Sequence, residues 1–325
     1  MGEGARLGAQ LRDGDLTVAP AVLNLVESSS PAARAEAAEL LAAVAPSALG
    51  HEAPGYIVGI TGPPGAGKST LLSELCARWR RRRLSVAVLA VDPSSRRSGG
   101  ALLGDRARIE YDPADEAIFI RSMAAGGRLG GLAPATRAAA NALATAFDVV
   151  VIETVGVGQS EYEVAEVADT VAVVVQPGSG DVLQFIKSGI MEIPDVLVVS
   201  KADLGHIATS SVRDLHAALR TLGASSTAVV AVSALAPATG VDELLDALDA
   251  HRATLDLPAR RLRARRLHAL ADFVAEHGAR GLRDVGGRRE AERWLAQQDP
   301  GLDVAALERA LEQRTFERRA ERSEA

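Results

Sequence analysis

The chain has 325 residues, 47% of them hydrophobic, and carries a formal net charge of −6. This length is sufficient for one large core plus appended elements, and the acidic balance gives no global electrostatic basis for binding nucleic acid. No apolar run approaches the length of a membrane span, and the first residues lack the pattern of a signal peptide, so we expect a cytoplasmic protein that does not insert into membranes.

Strand-like and helix-like segments alternate along the chain after a helical start. Residues 17–49 are rich in Ala and Leu at helical spacing, which predicts two or three helices. Strand-like runs follow at 56–61, 85–91, 117–121, 149–152, 170–175, 196–199 and 228–232. Helical patterns lie between them, and a last one includes residues 241–248. This order predicts an α/β fold with a doubly wound, mostly parallel sheet and helices on both faces.

The composition changes after Pro258, where the chain becomes rich in Arg, Glu, Ala and Leu and poor in β-branched residues. Such a composition favours helices, and the mixed signs of its charges favour a solvated or partner-packing surface over an RNA-binding arm. We therefore predict three parts, which are an N-terminal helical extension (1–52), a central α/β domain (53–257) and a C-terminal helical arm (258–325).

Two features mark the helical pattern after the first predicted strand. Arginines at 78 and 80–83 form a basic run at its C-terminal end, which we interpret as a complement to the helix dipole. Cys76 is the single cysteine of the chain, so no internal disulfide can form, and its apolar neighbours predict a core position.

Lysine is rare in this chain. Of the 36 basic residues only Lys68, Lys187 and Lys201 are lysines, and a chain with this bias is expected to keep lysine where a compact ammonium on a flexible stem is needed. Lys68 belongs to a Gly-x-x-x-x-Gly-Lys-Ser/Thr phosphate-loop pattern between a strand and a helix. The loop consists of Gly62, Pro63, Pro64, Gly65, Ala66, Gly67, Lys68, Ser69 and Thr70.

This loop pattern predicts a nucleotide phosphate site. The glycines let successive backbone N–H groups surround the β-phosphate at a helix N-terminus, while Lys68 reaches the β- and γ-phosphate oxygens. The Ser69 hydroxyl is a candidate Mg²⁺ ligand. The alternative interpretation is a glycine-rich turn before an ordinary helix.

Two acidic residues follow apolar runs in a way that predicts further metal contacts. Asp92 and Glu153 are expected at the carboxyl edge of a parallel sheet, where open α/β sheets bind their ligands. Gly156 follows Glu153 in an acid-x-x-Gly arrangement, so its N–H could contact the γ-phosphate. Either acid alone could instead cap the next helix.

A guanine base is predicted from two strand exits. Ser200-Lys201-Ala202-Asp203 resembles the Asn-Lys-x-Asp signature of GTPases, in which the aspartate accepts hydrogen bonds from guanine N1 and N2 and the lysine stem packs along the base. Adenine lacks these donors, and Ser200 departs from the usual asparagine. Ser233-Ala234-Leu235 resembles the Ser-Ala element whose backbone contacts guanine O6. The alternative is a polar strand exit without a ligand.

Longer strings at 62–70, 87–95, 99–106, 129–131 and 153–161 resemble the MeaB/ArgK family of GTPases. The resemblance implies a SIMIBI-like P-loop GTPase core that binds GTP or GDP with Mg²⁺, flanked by helical extensions, and homodimerisation through the C-terminal arm. It further implies a chaperone that gates adenosylcobalamin loading and the protection or reactivation of an acyl-CoA mutase such as methylmalonyl-CoA mutase.

The resemblance also assigns roles to individual residues. It implies that Glu153 and Gln159 belong to the catalytic group, and that Asp105 positions the attacking water, although Asp105 could equally be a structural cap. It places Asp181, Gln184 and Lys187 in a segment that relays the nucleotide state to the mutase, where a glycine-rich loop with a solvated cation is the alternative.

Other functions remain open at this point. A nickel-insertion GTPase shares the architecture, but the six histidines are scattered and Cys76 stands alone. A kinase of the ArgK type would need an acceptor pocket with a base, and a nucleotide-dependent scaffold would bind GTP with little hydrolysis. No cobalamin ligand is predicted in this chain, because Leu219 occupies the glycine position of the Asp-x-His-x-x-Gly pattern that Asp214 begins. Residues 121–129 lack the proline- and serine-rich pattern that is common in the family, and this difference bears on which partner the chain binds.

Overall fold

The computed structural model describes residues 2–92, 109–124, 134–154, 159–178 and 194–324 of the chain. Contacts divide the chain into two compact units. One runs from Pro54 to Leu255, and the other combines the residues up to Ala53 with those from Asp256 onward. No helix within the described ranges is both long and apolar enough to cross a membrane. The predicted three-part division stays a prediction.

Twelve α-helices lie within these described ranges. Before the first strand come α1 (Glu3–Arg12), α2 (Ala19–Glu27), α3 (Pro31–Ala43) and α4 (Pro46–Leu49). The α/β unit contains α5 (Lys68–Arg81), α6 (Pro134–Leu143), α7 (Gln159–Val167), α8 (His206–Thr221) and α9 (Val241–Ala253). The chain continues with α10 (Leu257–Asp284), α11 (Arg288–Gln297) and α12 (Val304–Glu324).

The unit formed by the two chain ends has helices with side-chain N-caps and an apolar core of its own. Ser30 Oγ accepts a hydrogen bond from the Ala33 N–H at the start of α3, and the Asp256 carboxylate accepts one from Ala259 in α10. Helices α10 to α12 share a core made of Ala269, Leu270, Phe273, Val285, Ala291, Leu295, Leu307 and Leu311. This buried apolar surface stabilises helices that sequence propensity alone would leave marginal.

The α/β unit is built on a seven-stranded sheet in which all neighbouring strands are parallel. Its strands are β1 (Tyr56–Thr61), β2 (Val86–Asp92), β3 (Ile118–Ala124), β4 (Val149–Thr154), β5 (Thr170–Val175), β6 (Val196–Val199) and β7 (Ala228–Ala231). Their order is β3-β2-β4-β1-β5-β6-β7. The strand order therefore reverses at β1, and the carboxyl end of β1 is the topological switch point at which such sheets bind ligands.

The predicted fold class is confirmed, and all seven predicted strands are present. Four strands differ in their bounds. In particular β4 continues two residues past 152, because Glu153 and Thr154 still pair with Ala90 and Val91 of β2. The N-terminal helix α1 was not predicted, since the helical pattern was recognised only from residue 17.

Candidate nucleotide-binding site

The phosphate-loop pattern lies between β1 and α5, at the edge where the parallel strands end. β1 ends at Thr61 and α5 begins at Lys68. Gly65 and Gly67 have φ angles of 78° and 86°, left-handed values that favour glycine. Gly62 has a φ of 144°, and a Cβ there would collide with the backbone of β5. The glycines of the pattern thus have a steric basis in the turn.

Lys68 is buried at the start of α5 and is surrounded by oxygen atoms. Its Nζ donates to the carbonyl oxygens of Gly62 at 2.8 Å and Pro63 at 3.2 Å, and lies 3.9 Å from Glu153 Oε1. The Lys68 and Glu153 side chains are 6% and 2% exposed. A cation at a helix N-terminus is disfavoured by the helix dipole, so these oxygens stabilise the charged ammonium. Together with the N–H groups at the N-terminus of the helix, the ammonium creates a site suited to an anion.

Glu153 lies near the end of β4 with 1% of its surface exposed, and its backbone is in register with Ile60 and Ala90. Sequence analysis placed it directly after the strand; the structure places it inside the strand, one residue before the end. Asp92 is the last residue of β2 at the same edge of the sheet. The backbones of both acids therefore lie where the topology of parallel strands predicts.

The predicted metal ligands Ser69, Asp92 and Glu153 are a hydroxyl and two carboxylates, the hard oxygen donors that Mg²⁺ prefers. Ser69 is the second residue of α5 and is half-buried, and the Glu153 carboxylate lies beside Lys68. These donor types at one edge of the sheet fit Mg²⁺. A search of the described residues found no group of three or more His, Cys, Asp or Glu side chains placed to hold a metal ion. The magnesium assignment rests on the donors and their common edge.

The strand exit after β6 has a defined backbone conformation. The Ser200 hydroxyl and N–H both donate to the Val175 carbonyl oxygen, at 3.1 and 3.0 Å, and so tie this exit to β5. Lys201 has φ 52° and ψ 46°, a left-handed conformation that costs a non-glycine residue roughly 1–2 kcal/mol. The next residues form a single 3-10 turn, Ala202–Leu204, whose first N–H donates to Val232 of the neighbouring strand exit at 3.1 Å.

The two predicted base-binding segments meet through a side-chain hydrogen bond. The Ser233 hydroxyl donates to Asp203 Oδ1 at 2.8 Å. Ser233 is 5% exposed, and its N–H and carbonyl group both pair with Thr239. Asp203 is exposed, as is the Leu235 side chain at 62%. Ser233 therefore fixes one carboxylate oxygen of Asp203 and leaves the other accessible to a ligand. Sequence analysis had assigned only a backbone role to this segment.

Several predicted site residues lie outside the described part of the chain. They are Asp105, Gly156, Asp181, Gln184 and Lys187. Gln159 is the first residue of α7 and Asp92 the last residue of β2, but the description does not extend to their side chains. The structure thus brings together Lys68 with Glu153 and Asp203 with Ser233, and the functional roles of all the predicted site residues stay predictions.

Sequence analysis missed two threonines that border the predicted motifs. Thr61 directly precedes the phosphate loop and Thr154 directly follows Glu153. The Thr154 hydroxyl donates to Thr61 Oγ1 at 3.0 Å, and both residues are at most 1% exposed. Threonine is common in strands because of its branched side chain, so neither position stood out.

Comparisons with known proteins show what the sequence and the fold are similar to. Residues 19–280 match the family model described as methylmalonyl-CoA mutase-associated GTPase MeaB. A putative GTPase of Pyrococcus abyssi is 43% identical over 265 residues, which are 79% of this chain and 78% of that protein. The GTPase ArgK of Escherichia coli is 43% identical over 195 residues, 60% of this chain and 58% of ArgK.

A solved structure titled LAO/AO transport system kinase superposes with a TM-score of 0.66 at 28% identity, covering 96% of this chain and 98% of that one. The resemblance therefore extends from the motifs to the whole fold. The phosphate-loop pattern and the parallel sheet are compatible with the GTPase names of these two relatives. The chain accordingly belongs to the MeaB family of methylmalonyl-CoA mutase-associated P-loop GTPases.

Proposed function

We propose that the chain hydrolyses GTP with Mg²⁺ in a phosphate site formed by the loop before α5. The loop N–H groups surround the β-phosphate, and Lys68 contacts the β- and γ-phosphate oxygens. Ser69 and Asp92 hold Mg²⁺, which when bound supplies positive charge beside the transferring phosphoryl group, and Glu153 orients water next to it. The observation that carries this proposal is the 3.9 Å approach of Lys68 Nζ to Glu153 Oε1, because it joins the phosphate-binding cation to the acid of the adjacent strand.

The preference for guanine follows from the chemistry of the segments that follow β6 and β7. Asp203 accepts from guanine N1 and N2, and the Lys201 stem packs along the base. Ser233 supports this assignment because it holds one oxygen of Asp203 at 2.8 Å from its own hydroxyl. An adenine base presents no matching pair of donors to a carboxylate, so the selectivity arises from unmatched hydrogen bonds.

The predicted residues whose side chains the structure does not describe complete the proposal. Gly156 contacts the γ-phosphate, while Asp105 and Gln159 position the attacking water. Asp181, Gln184 and Lys187 belong to the segment that changes with the nucleotide state. These roles rest on the family resemblance of their sequence strings.

We further propose that the GTP state gates adenosylcobalamin loading, protection or reactivation in an acyl-CoA mutase such as methylmalonyl-CoA mutase. The family description names an association with that enzyme, and this is the observation that supports the partner. Hydrolysis without a partner is slow in this proposal, because an incomplete catalytic set is completed when the mutase binds. The protein acts in the cytoplasm as a homodimer joined by the C-terminal arm.

One alternative has an observation in its favour. The solved relative with a TM-score of 0.66 is titled a transport system kinase. A kinase would transfer the γ-phosphoryl group to a protein or small-molecule acceptor instead of water. Labelled phosphate on an acceptor, rather than free phosphate, would identify that activity.

The experiment compares GTP and ATP hydrolysis by the purified protein with Mg²⁺, with and without a candidate adenosylcobalamin-dependent mutase. Lys68→Ala is the test variant and Arg81→Ala the matched control, since both remove one cation from α5 and Arg81 is exposed at its far end. We expect GTP-selective turnover that rises with the mutase and falls by about 100-fold or more in Lys68→Ala alone, because that ammonium stabilises the phosphoryl group directly.

Further measurements test the proposed mutase partner separately from the proposed hydrolysis of GTP. Transfer of adenosylcobalamin to the apo-mutase, followed by its absorbance, should depend on whether GTP or GDP is present. Indifference of both hydrolysis and transfer to every mutase tested would refute the partner while leaving GTP hydrolysis intact. Preference for ATP would refute the guanine assignment of Asp203, and full activity of Lys68→Ala would refute the phosphate site itself.

A further inference from the structure

We propose that the hydroxyl pair of Thr61 and Thr154 is a positioning element for GTP hydrolysis, which holds the phosphate loop and the Glu153 segment in register. The inference rests on the proposed hydrolysis of GTP at this site and does not depend on any partner protein. Neither threonine belongs to the predicted nucleotide-binding or metal-binding set, and neither need touch the nucleotide.

The pair forms the last link between two central strands. Backbone pairing of β1 with β4 extends to Ile60 and Glu153. One residue further on, the Thr154 hydroxyl donates to Thr61 Oγ1 at 3.0 Å. Thr61 is still in register with β5 and Thr154 with β2, so this bond joins two halves of the sheet at its carboxyl edge.

Each threonine is one peptide unit away from a group that contacts Lys68. Thr61 precedes Gly62, whose carbonyl oxygen accepts from Lys68 Nζ at 2.8 Å. Thr154 follows Glu153, whose Oε1 lies 3.9 Å from the same nitrogen. A shift of either strand end therefore moves one oxygen of the ammonium site relative to the other. The hydroxyl bond fixes the separation of the two strand ends that carry these oxygens.

Burial makes the pair sensitive to loss of one hydroxyl. Thr61 is 0% and Thr154 1% exposed, so a hydroxyl that loses its partner there cannot be solvated by bulk water. Valine has nearly the same shape as threonine and replaces only the hydroxyl with a methyl group. The strand ends then keep their apolar contacts but lose the bond that sets their spacing.

The test uses Thr61→Val, Thr154→Val, the double variant and Thr154→Ser. The matched control is Thr145→Val, because Thr145 is 9% exposed and its hydroxyl has no hydrogen-bond partner among the residues that the structure describes. For each protein we would measure kcat and KM for GTP, the dissociation constant of GDP, and the melting temperature.

We expect each single valine variant to lower kcat about tenfold, since one net hydrogen bond corresponds to about that factor, while KM and GDP affinity change less than about threefold. The double variant should be no slower than the slower single variant, because both remove the same bond. Thr154→Ser should recover most of kcat, and Thr145→Val should retain wild-type kcat.

Other patterns would overturn the proposal. These are an additive loss in the double variant, unchanged kcat in both valine variants, an equal loss in Thr154→Ser, and a parallel loss of GDP affinity. A lowered melting temperature with unchanged kcat would assign the pair to folding stability alone. If Thr154→Val does not fold, Thr61→Val and Thr154→Ser still decide between these outcomes.

Discussion

Ser233→Ala is expected to weaken guanine nucleotides selectively. The hydroxyl donates to Asp203 Oδ1 at 2.8 Å, and two backbone hydrogen bonds to Thr239 at 3.0 and 2.9 Å fix its position. A hydrogen bond to a carboxylate is worth about 1.5–3 kcal/mol, but Asp203 is exposed, so solvent reduces this value to about 1 kcal/mol. That energy corresponds to about a fivefold increase in the GDP dissociation constant.

The assay is a titration of the purified variants with GDP and ADP, using Ser226→Ala as the matched control because Ser226 is an exposed serine in the turn before β7. Only Ser233→Ala should lose GDP affinity, and its weak ADP affinity should not change, because adenine does not pair with Asp203. Equal weakening of both nucleotides would show that Ser233 acts on the fold. Unchanged GDP affinity would show that Asp203 needs no fixed orientation.

Three further predictions concern stability and reactivity. Arg80→Ala should lower the free energy of unfolding by about 1–2 kcal/mol, because Arg80 binds both oxygens of Asp115 and the Leu84 carbonyl oxygen. Arg82 is more exposed, so Arg82→Ala should lower it by less than about 1 kcal/mol. Urea unfolding of the two variants measures this difference. Burial and neighbouring carboxylates raise the pKa of Glu308 from 4.5 to about 7, so the folded state holds a proton that the unfolded state releases earlier, and stability falls as pH rises across that window. Glu308→Gln should therefore raise the melting temperature at pH 8 but not at pH 4, and an equal rise at both would contradict this. Burial also raises the pKa of Cys76 to about 12, so a thiol reagent should react only on unfolding, and rapid reaction of the native protein would refute its burial.

The sheet was predictable from sequence because its strands are apolar, β-branched runs. Val149 to Ile152 and Thr170 to Val175 are buried along their whole length, as expected for central strands of a parallel sheet covered by helices. Since all carboxyl ends of parallel strands meet at one edge, the sequence also predicted that Asp92 and Glu153 lie at the edge where the phosphate loop begins. Strand ends were less predictable, because Glu153 is polar and yet continues the ladder.

Helix α1 shows why some elements could not be predicted. Its glycines Gly4 and Gly8 lower helix propensity and hide the helical pattern. In the structure both are buried against α3, where a Cβ on Gly4 would collide with the Glu36 carbonyl oxygen. Close helix packing therefore requires the residues that weaken the sequence signal, and this contact is visible only in three dimensions.

The arginine run at the end of α5 illustrates a second limit. Its interpretation as a complement to the helix dipole used only local information, and Arg78, Arg80 and Arg81 do lie in the last turn. The structure adds partners distant in sequence, since Arg80 binds Asp115 and Arg82 binds Asp249 of α9. A single sequence without three-dimensional contacts cannot show which of many acids will pair with a given arginine.

The rarity of lysine in the sequence drew attention to Lys68, and the structure explains why arginine is unsuitable at that position. Three oxygens, from Gly62, Pro63 and Glu153, surround Lys68 Nζ at 2.8 to 3.9 Å in a site that is 6% exposed. An ammonium has three rotatable donors that suit converging oxygens, whereas a planar guanidinium is larger and directs its five donors in a fixed fork. The same reasoning does not explain Lys201, whose left-handed backbone does not specify lysine. A lysine is needed at position 201 only if its stem packs on a guanine base. Substitutions of Lys68 and Lys201 therefore test the phosphate-binding and the base-binding parts of the proposed site separately.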